Sequence, residues 1–500
     1  MTLLLTLACT TGSAWTEPLW DPGLAEESGV LYARLPHAEA LARLNAGGQS
    51  ELVDLDGATP DRLVSSPDAS SLLVFSSWLT CRDDDPKIET VEDCLYEDRE
   101  TERELALVQD GQVTTTVDIA QHLDTLAFSP DGRVAVAYLG GELSEGSAGG
   151  LADVDSVTFI DLQTGEASST PVGFAPGNIL FTPDGASAVV LSRSTAVLVD
   201  MDTFQVKVTY DLTLDNDTEI DPSAAVLTPD GSYALVAVAR LGLLYKLDLV
   251  DPSIDIEELA GAPSALVVDE LNDVTVITYS NAAQIDLLYH SDFSRVELDV
   301  DEVNTGLVHH PDGFALAYRE GGRDVYAVDL ATEDVTEYVV ANPVDSVQID
   351  EAGRFGLAIM RPEYGNAGGG VDAYTDARWG MSVLEIGDDE ARNVVFEQYP
   401  TGIELVAGET TTHALVLLEG ERDALLVDLA DPYPPVEIAL EENPLAIGSL
   451  QSGMFWITQN SSLGLVTVLD PLDPDNASTL GGFAGLGLIT DDELPRRGGE

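Results

Sequence analysis

One short pattern limits what this chain can fold into. Phe128-Ser-Pro-Asp-Gly132 precedes Val-Ala-Val-Ala-Tyr, and Phe181-Thr-Pro-Asp-Gly185 precedes a run ending Ala-Val-Val-Leu. Leu227-Thr-Pro-Asp-Gly231 leads to Ala-Leu-Val-Ala-Val, and His310-Pro-Asp-Gly313 leads to Phe-Ala-Leu-Ala-Tyr. Weaker copies read Ser66-Pro-Asp-Ala69 and Asp350-Glu-Ala-Gly353, and more degenerate ones lie near Glu270, Glu409 and Gln451. Asp-Gly between two β-rich runs is a hairpin signal, because glycine takes positive φ without steric cost. After each hairpin comes an alternating strand ending in Asp-Leu, as in Val157-Thr-Phe-Ile-Asp-Leu162 and Val325-Tyr-Ala-Val-Asp-Leu330. A poorer fourth strand such as Val335-Thr-Glu-Tyr-Val339 closes the unit. Compact neighbouring copies are 39 to 46 residues apart. Four short strands with their turns need about 40–45 residues, the size of one propeller blade.

These residues resemble the repeats of the YVTN and WD-repeat-like β-propellers of bacterial envelope and secreted proteins. The Trp-Asp ending of eukaryotic WD repeats is missing, which places the likeness on the YVTN side. The resemblance implies an all-β fold: a single propeller of four-stranded antiparallel blades over residues 29–490. It implies no particular activity, since one such fold hosts many. Nine turn copies, with apolar segments near Val30 and Leu55 suggesting part of another blade, allow seven to ten blades; about eight is the expectation. Residues 486–490 are expected as an inner strand that pairs with the N-terminal strands and closes the ring. Residues 10–28 read as a linker and 491–500 as a polar tail.

Charge narrows the partners. Asp and Glu number 89 against 22 Lys and Arg, a net charge of −67. Such a surface cannot neutralise phosphates, which excludes nucleic acid as a partner and disfavours docking on anionic lipid. The chain is 44% hydrophobic, too apolar for a disordered acidic polymer, and no run approaches the ~18 apolar residues of a membrane span. Only Lys87, Lys207 and Lys246 are lysines. Low lysine with many carboxylates suits a saline habitat, where salt screens self-repulsion; an acidic extracytoplasmic protein from a GC-rich genome fits equally.

There are three cysteines. Cys9 ends the apolar run Met1-Thr-Leu-Leu-Leu-Thr-Leu-Ala-Cys9, so residues 1–9 resemble the end of a bacterial lipoprotein signal with Cys9 as the acylated residue. The usual basic part is missing, as a start placed too late would explain. The expected location is extracytoplasmic, anchored by lipid or secreted, and the membrane contact expected is that anchor alone. In an oxidising compartment, Cys81 and Cys94 are expected to form a disulfide.

Long insertions mark a face. With strands a to d running from the axis outward, the Pro-Asp-Gly turn joins a to b, and the b–c and d–a links lie on the opposite side. Insertions at 80–104, 140–155 and 361–380 all fall in b–c links. Loops on a rigid scaffold carry recognition, so Trp78, Tyr96, Tyr364, Tyr374, Arg378 and Trp379 are the candidate ligand-binding residues. The segment 215–221 is a d–a loop on the same side. Its alternating Asp215, Asp217 and Glu219 are oxygen donors of the type Ca²⁺ takes, although no EF-hand pattern surrounds them. No other cofactor is expected.

The search for catalytic motifs is negative: no GxSxG, HExxH or P-loop is present. His309 and His310 are adjacent in a strand and point to opposite faces, which fits structure better than a shared metal. Trp456 is expected in the core. Two function classes follow. The first is a non-catalytic scaffold that binds a protein or an envelope polymer through its insertion face. The alternative is a propeller enzyme, lactonase-like or quinoprotein-like, with its site in the central channel. The sequence leaves the oligomeric state open.

Overall fold

The computed structural model describes residues 24–44, 50–81, 99–140, 154–213, 220–363, 375, 377–388, 391–407, 412–461 and 464–483. Its strands form ten antiparallel sheets of four, each built from consecutive segments of chain. The inner strands of the ten blades are Ala25–Glu27, Thr59–Ser65, Thr125–Phe128, Asn178–Phe181, Ala224–Leu227, Pro263–Asp269, Gly306–His310, Val344–Ile349, Pro400–Ala407 and Pro444–Ser449. We number the blades 1 to 10 in this order and letter the strands of each a to d outward. Inner strands touch one another from blade 4 through blade 8, between blades 1 and 2, and between blades 9 and 10. They are half-buried, as Ala224–Leu227 shows throughout its length. Second strands such as Val274–Tyr279 are buried completely. Outer strands such as Ser253–Glu258 are largely exposed. This gradient places the a strands around a central channel and the d strands at the rim.

Ten apolar cores hold the blades face to face. Blades 4 and 5 share one around Val189, Leu198, Val236 and Tyr245, and blades 8 and 9 share one around Phe355, Val383, Val416 and Val427. An open row of ten sheets would have nine such cores. The tenth joins the ends of the chain: Leu31, Ala33, Ala40 and Ala42 of blade 1 pack with Leu450, Val466 and Phe483 of blade 10. Glu26 also accepts a hydrogen bond from the Gln451 backbone N–H at 2.9 Å. The molecule is therefore one closed ring of ten blades, a single all-β propeller.

The blade count and the start of the ring can be set against the expectations. The ring has ten blades, the upper end of the expected seven to ten, because the degenerate copies near Glu270, Glu409 and Gln451 each build a full sheet and the N-terminal segment builds another. Blade 1 begins before residue 29, with Ala25–Glu27 as its own inner strand. The segment 486–490 lies outside the described residues.

The repeated turn has a consistent construction. The Ser129 hydroxyl donates to Asp131 at 2.6 Å and accepts from the Val134 N–H at 2.9 Å, while Asp131 accepts from the Arg133 N–H at 3.1 Å. The same set recurs at Ser66–Asp68, Thr182–Asp184 and Thr228–Asp230. The hydroxyl bond is the main cause holding Asp68, Asp131 and Asp184 below the usual carboxylate range; at Asp230 the Ser232 backbone bond leads. Gly132 sits at φ +67°, and a Cβ there would stand 3.7 Å from the Asp68 carboxylate of the preceding blade. Gly185 repeats this against Asp131 at 3.6 Å. Those distances are ordinary contact, so it is the left-handed backbone, not the space, that asks for glycine at this turn.

The Asp that ends strand c has its own task. Asp161, Asp200, Asp248 and Asp329 each accept from the backbone N–H groups two and three residues on. Such Asx turns cap the c–d link. Part of the unusual acidity is therefore turn chemistry rather than solvation.

Candidate functional site

The strand order fixes two unlike faces. All a–b and c–d turns lie on one, the turn face, and all b–c and d–a links on the other. The long insertions join Leu72–Cys81 to Arg99–Gln109 in blade 2, Val134–Tyr138 to Ser156–Asp161 in blade 3, and Phe355–Met360 to Trp379–Glu385 in blade 8. All three are b–c links, so all three leave the same face. The d–a link between Gln205–Asp211 and Ala224–Leu227 opens there too.

The boundaries differ from those expected. In blade 2 the b and c strands continue to Cys81 and from Arg99, so residues 80, 81 and 99–104 are strand rather than loop. The a strand stops opposite Ser77 and the d strand opposite Arg103. Four further pairs, from Trp78↔Glu102 to Cys81↔Arg99, extend beyond them as a two-stranded ribbon. At ~3.3 Å per residue it projects about 13 Å. An isolated ribbon of this kind is marginal in water. Here Cys81 at its end is disulfide-bonded.

The candidate residues fall out as follows. Trp78 is half-buried at the core shared by blades 1 and 2. Trp379 is the first residue of strand c in blade 8 and packs on the core shared with blade 9. Its ring meets that of Tyr399 edge-on at 4.7 Å. Tyr399 is 42% exposed, and the sequence gives no sign of this contact because Tyr399 belongs to a different blade. Arg378 is half-buried beside it in sequence, and its carbonyl accepts from the buried Asn342 amide at 3.0 Å. The same amide donates to the Thr375 carbonyl at 2.7 Å, so one side chain anchors the end of the third insertion. Cys9, Cys94, Tyr96, Asp215, Asp217, Glu219, Tyr364 and Tyr374 lie outside the described residues. Trp456 packs against the closing core, its ring lying over Gly448.

The adjacent histidines separate, as strand alternation requires. His309 pairs with the fully buried Asp269 of blade 6 at 2.8 Å. His310 points the other way, bonds the Glu351 carbonyl of blade 8 at 3.0 Å and stacks on Phe314. Each ties its blade to a neighbour. Among the described residues, no group of three His, Cys, Asp or Glu side chains is arranged to hold a metal ion.

Two recesses accompany this layout. One of about 900 Å³ opens in the channel between blades 8 to 10, 1 and 2, with Glu26, Arg62, Glu351, Glu404 and Trp456 on its wall. Another of about 290 Å³ lies on the insertion face between blades 3, 4 and 5. Ion pairs also gather on this face at the edge of the third insertion. Arg361 meets Glu320 at 3.6 Å and Arg319 meets Glu302 at 3.8 Å, while Arg323 pairs with Glu363.

No protein-family model matches the chain, and no curated protein matches it in sequence. Among solved structures it is similar to the dihydro-heme d1 dehydrogenase NirN in complex with DHE, at 15% identity over 67% of this chain and 74% of that one, with a TM-score of 0.41. It is similar to a eukaryotic initiation factor at 9% identity over 73% and 90%, with a TM-score of 0.47. It is similar to Kuenenia stuttgartiensis hydrazine synthase at 14% identity over 59% and 95%, with a TM-score of 0.36. Likenesses this distant carry no activity or partner to this chain. The propeller assignment rests on its ten sheets and ten shared cores.

Proposed function

We propose that the chain is a non-catalytic propeller scaffold that binds a protein or an envelope polymer through its insertion face. The observation that carries this reading is the shared exit of the three long b–c insertions from one face of a closed ring. The rigid ring supplies the fixed base that recognition loops need. Tyr399, Trp379 and Arg378 beside the third insertion offer aromatic and guanidinium groups of the kind enriched in binding hot spots. The proposal includes an extracytoplasmic site of action, a lipid anchor on Cys9, a Cys81–Cys94 disulfide that staples the blade 2 ribbon, and Ca²⁺ at Asp215, Asp217 and Glu219 as a minor element.

The test is crosslinking capture from native envelopes with the intact protein and with a variant whose insertions at 82–98, 141–154 and 362–378 are cut to tight turns. Circular dichroism must show that the variant is folded. A specific partner captured by the intact protein and lost in the variant supports the reading. The same partner captured by both refutes the choice of face. The channel recess, with Arg62 among Glu26, Glu351 and Glu404, favours the enzyme alternative as the second reading. Capture by neither form, together with turnover abolished by Arg62→Ala, would replace the scaffold with it.

A further inference from the structure

The recess on the insertion face has a feature that the acidity of the chain makes unusual. With 89 acidic and 22 basic side chains, a guanidinium has abundant carboxylates to pair with. Lys207 pairs with Asp200 at 2.9 Å, Lys246 with Asp255 at 2.8 Å and Arg133 with Asp202 at 3.2 Å. Arg193, on the wall of the recess, is different. Its guanidinium has no ion pair or hydrogen bond among the described residues and lies 5.8 Å above the ring of Phe174. Phe174 is itself 43% exposed.

The backbone holds Arg193 in place. Arg193 and Ser194 form the tight b–c turn of blade 4, with Ser194 at φ +65°. The Arg193 N–H donates to the Phe174 carbonyl at 3.1 Å, and the Ser194 N–H donates to the Ile220 carbonyl at 2.8 Å. The Ser194 hydroxyl accepts from the Ile220 N–H at 3.0 Å. The turn is thus tied to the d–a links on both sides. The turn backbone that carries Arg193 is therefore fixed, which limits the ordering cost of binding to the side chain.

Other groups in the recess complete a pattern. Asn178 and Asp221 line the same recess. Neither has a side-chain partner among the described residues. Exposed Arg193, half-buried Asn178 and exposed Asp221 therefore border one open recess of about 290 Å³. That volume sits at the lower end of small-molecule sites, ~300–1,000 Å³.

We propose that this recess binds a small carboxylate that also carries hydroxyl or ammonium donors. Arg193 would take the carboxylate through its planar fork, which suits two parallel hydrogen bonds. Asp221 would accept from the donors, and Asn178 would bridge. Phe174 covers the apolar face of the guanidinium. The site does not depend on the docking of a macromolecule on the same face.

The test is isothermal titration calorimetry with glucuronate, glutamate and glucose on the intact chain, on Arg193→Gln and on Asp221→Ala. Arg392→Gln, on the turn face beside Glu385, is the control. Glucuronate or glutamate should bind while glucose does not. Losing a charge-assisted pair worth ~1.5–3 kcal/mol weakens binding by roughly 10- to 150-fold in Arg193→Gln. Asp221→Ala should weaken it too, and Arg392→Gln should leave it unchanged. Glucuronate alone identifies a sugar acid, and glutamate alone an amino acid. The proposal is overturned if neither carboxylate binds, if glucose binds as well as glucuronate, if Arg193→Gln binds like the intact chain, or if Asp221→Ala binds more tightly.

Discussion

Removing the Phe483 ring probes how the propeller closes. Phe483 is 2% exposed in the core shared by blades 1 and 10. It fits against Gly464, where a Cβ would stand 2.5 Å from the ring. A buried aromatic side chain hides about 150–250 Å², which at ~25 cal/mol/Å² stabilises by roughly 4–6 kcal/mol. Measured Phe→Ala losses of about 3–5 kcal/mol agree. Phe483→Ala is therefore expected to cost about 4 kcal/mol by urea denaturation. Phe455→Ala, in the core between blades 9 and 10, should cost a similar amount. The two should differ in hydrogen exchange. Ten blades in one chain have nine connecting links, and the pair formed by blades 10 and 1 has none. A weakened closing core can open without unfolding a blade. Phe483→Ala should therefore raise exchange selectively in blades 1 and 10, and blades 4 to 6 should stay protected. A loss below about 1 kcal/mol, with unchanged protection in blades 1 and 10, would refute closure by packing.

Further outcomes follow from the same contacts. Asp350 is fully buried and accepts from the Arg354 and Phe355 N–H groups and the Thr412 hydroxyl at 2.6–2.7 Å; Asp350→Ala strands three donors and should cost about 3 kcal/mol or more, read by urea midpoint. Burial pushes the pKa of His413 below its usual value, against smaller opposing effects of Asp428 and Asp470. The unfolded chain then binds more protons near pH 6, so stability should fall as pH drops through the ordinary histidine pKa of ~6.5. His413→Phe should flatten that part of the profile. Asp68, Asp131, Asp184 and Asp230 have depressed pKa values, so their contribution is present above the unfolded pKa of ~3.9 and is lost below it. Asn at all four should shrink the acid-side decline in urea midpoint. Cys94→Ser should leave the ring's unfolding free energy in urea within about 0.5 kcal/mol and expose the blade 2 ribbon to protease. An unaltered digestion pattern would remove the proposed staple.

The blade was legible in the sequence because its signals are local. Ser129, Asp131 and Gly132 lie within one turn, and their hydrogen bonds span at most five residues. The number of blades was harder to read. It depends on how neighbouring sheets wedge together, and those contacts join residues far apart in sequence. Blade 1 also lacks the signal, since its a–b turn is Ser28-Gly29 and its inner strand is three residues long. The common face of the insertions could be read, because strand order alone determines it. The blade 2 ribbon is not legible as strand, because Thr80 and Cys81 pair with Glu100 and Arg99 across the insertion. Arg193 gave no signal at all. Its distinction is the lack of a partner, and that requires knowing where Phe174, Asn178 and Asp221 stand.

The choice of face is the central claim, and one blade can test it. Leu241 lies in the b–c turn of blade 5 on the insertion face, and Val250 lies in its c–d turn on the opposite face; they are 36% and 73% exposed. A photoreactive benzophenone placed at each position in turn and irradiated in native envelopes reports what touches each face. Docking through the insertions predicts a discrete adduct from position 241, competed by excess unlabelled protein, and none from position 250. A competed adduct from 250 alone would contradict the assignment.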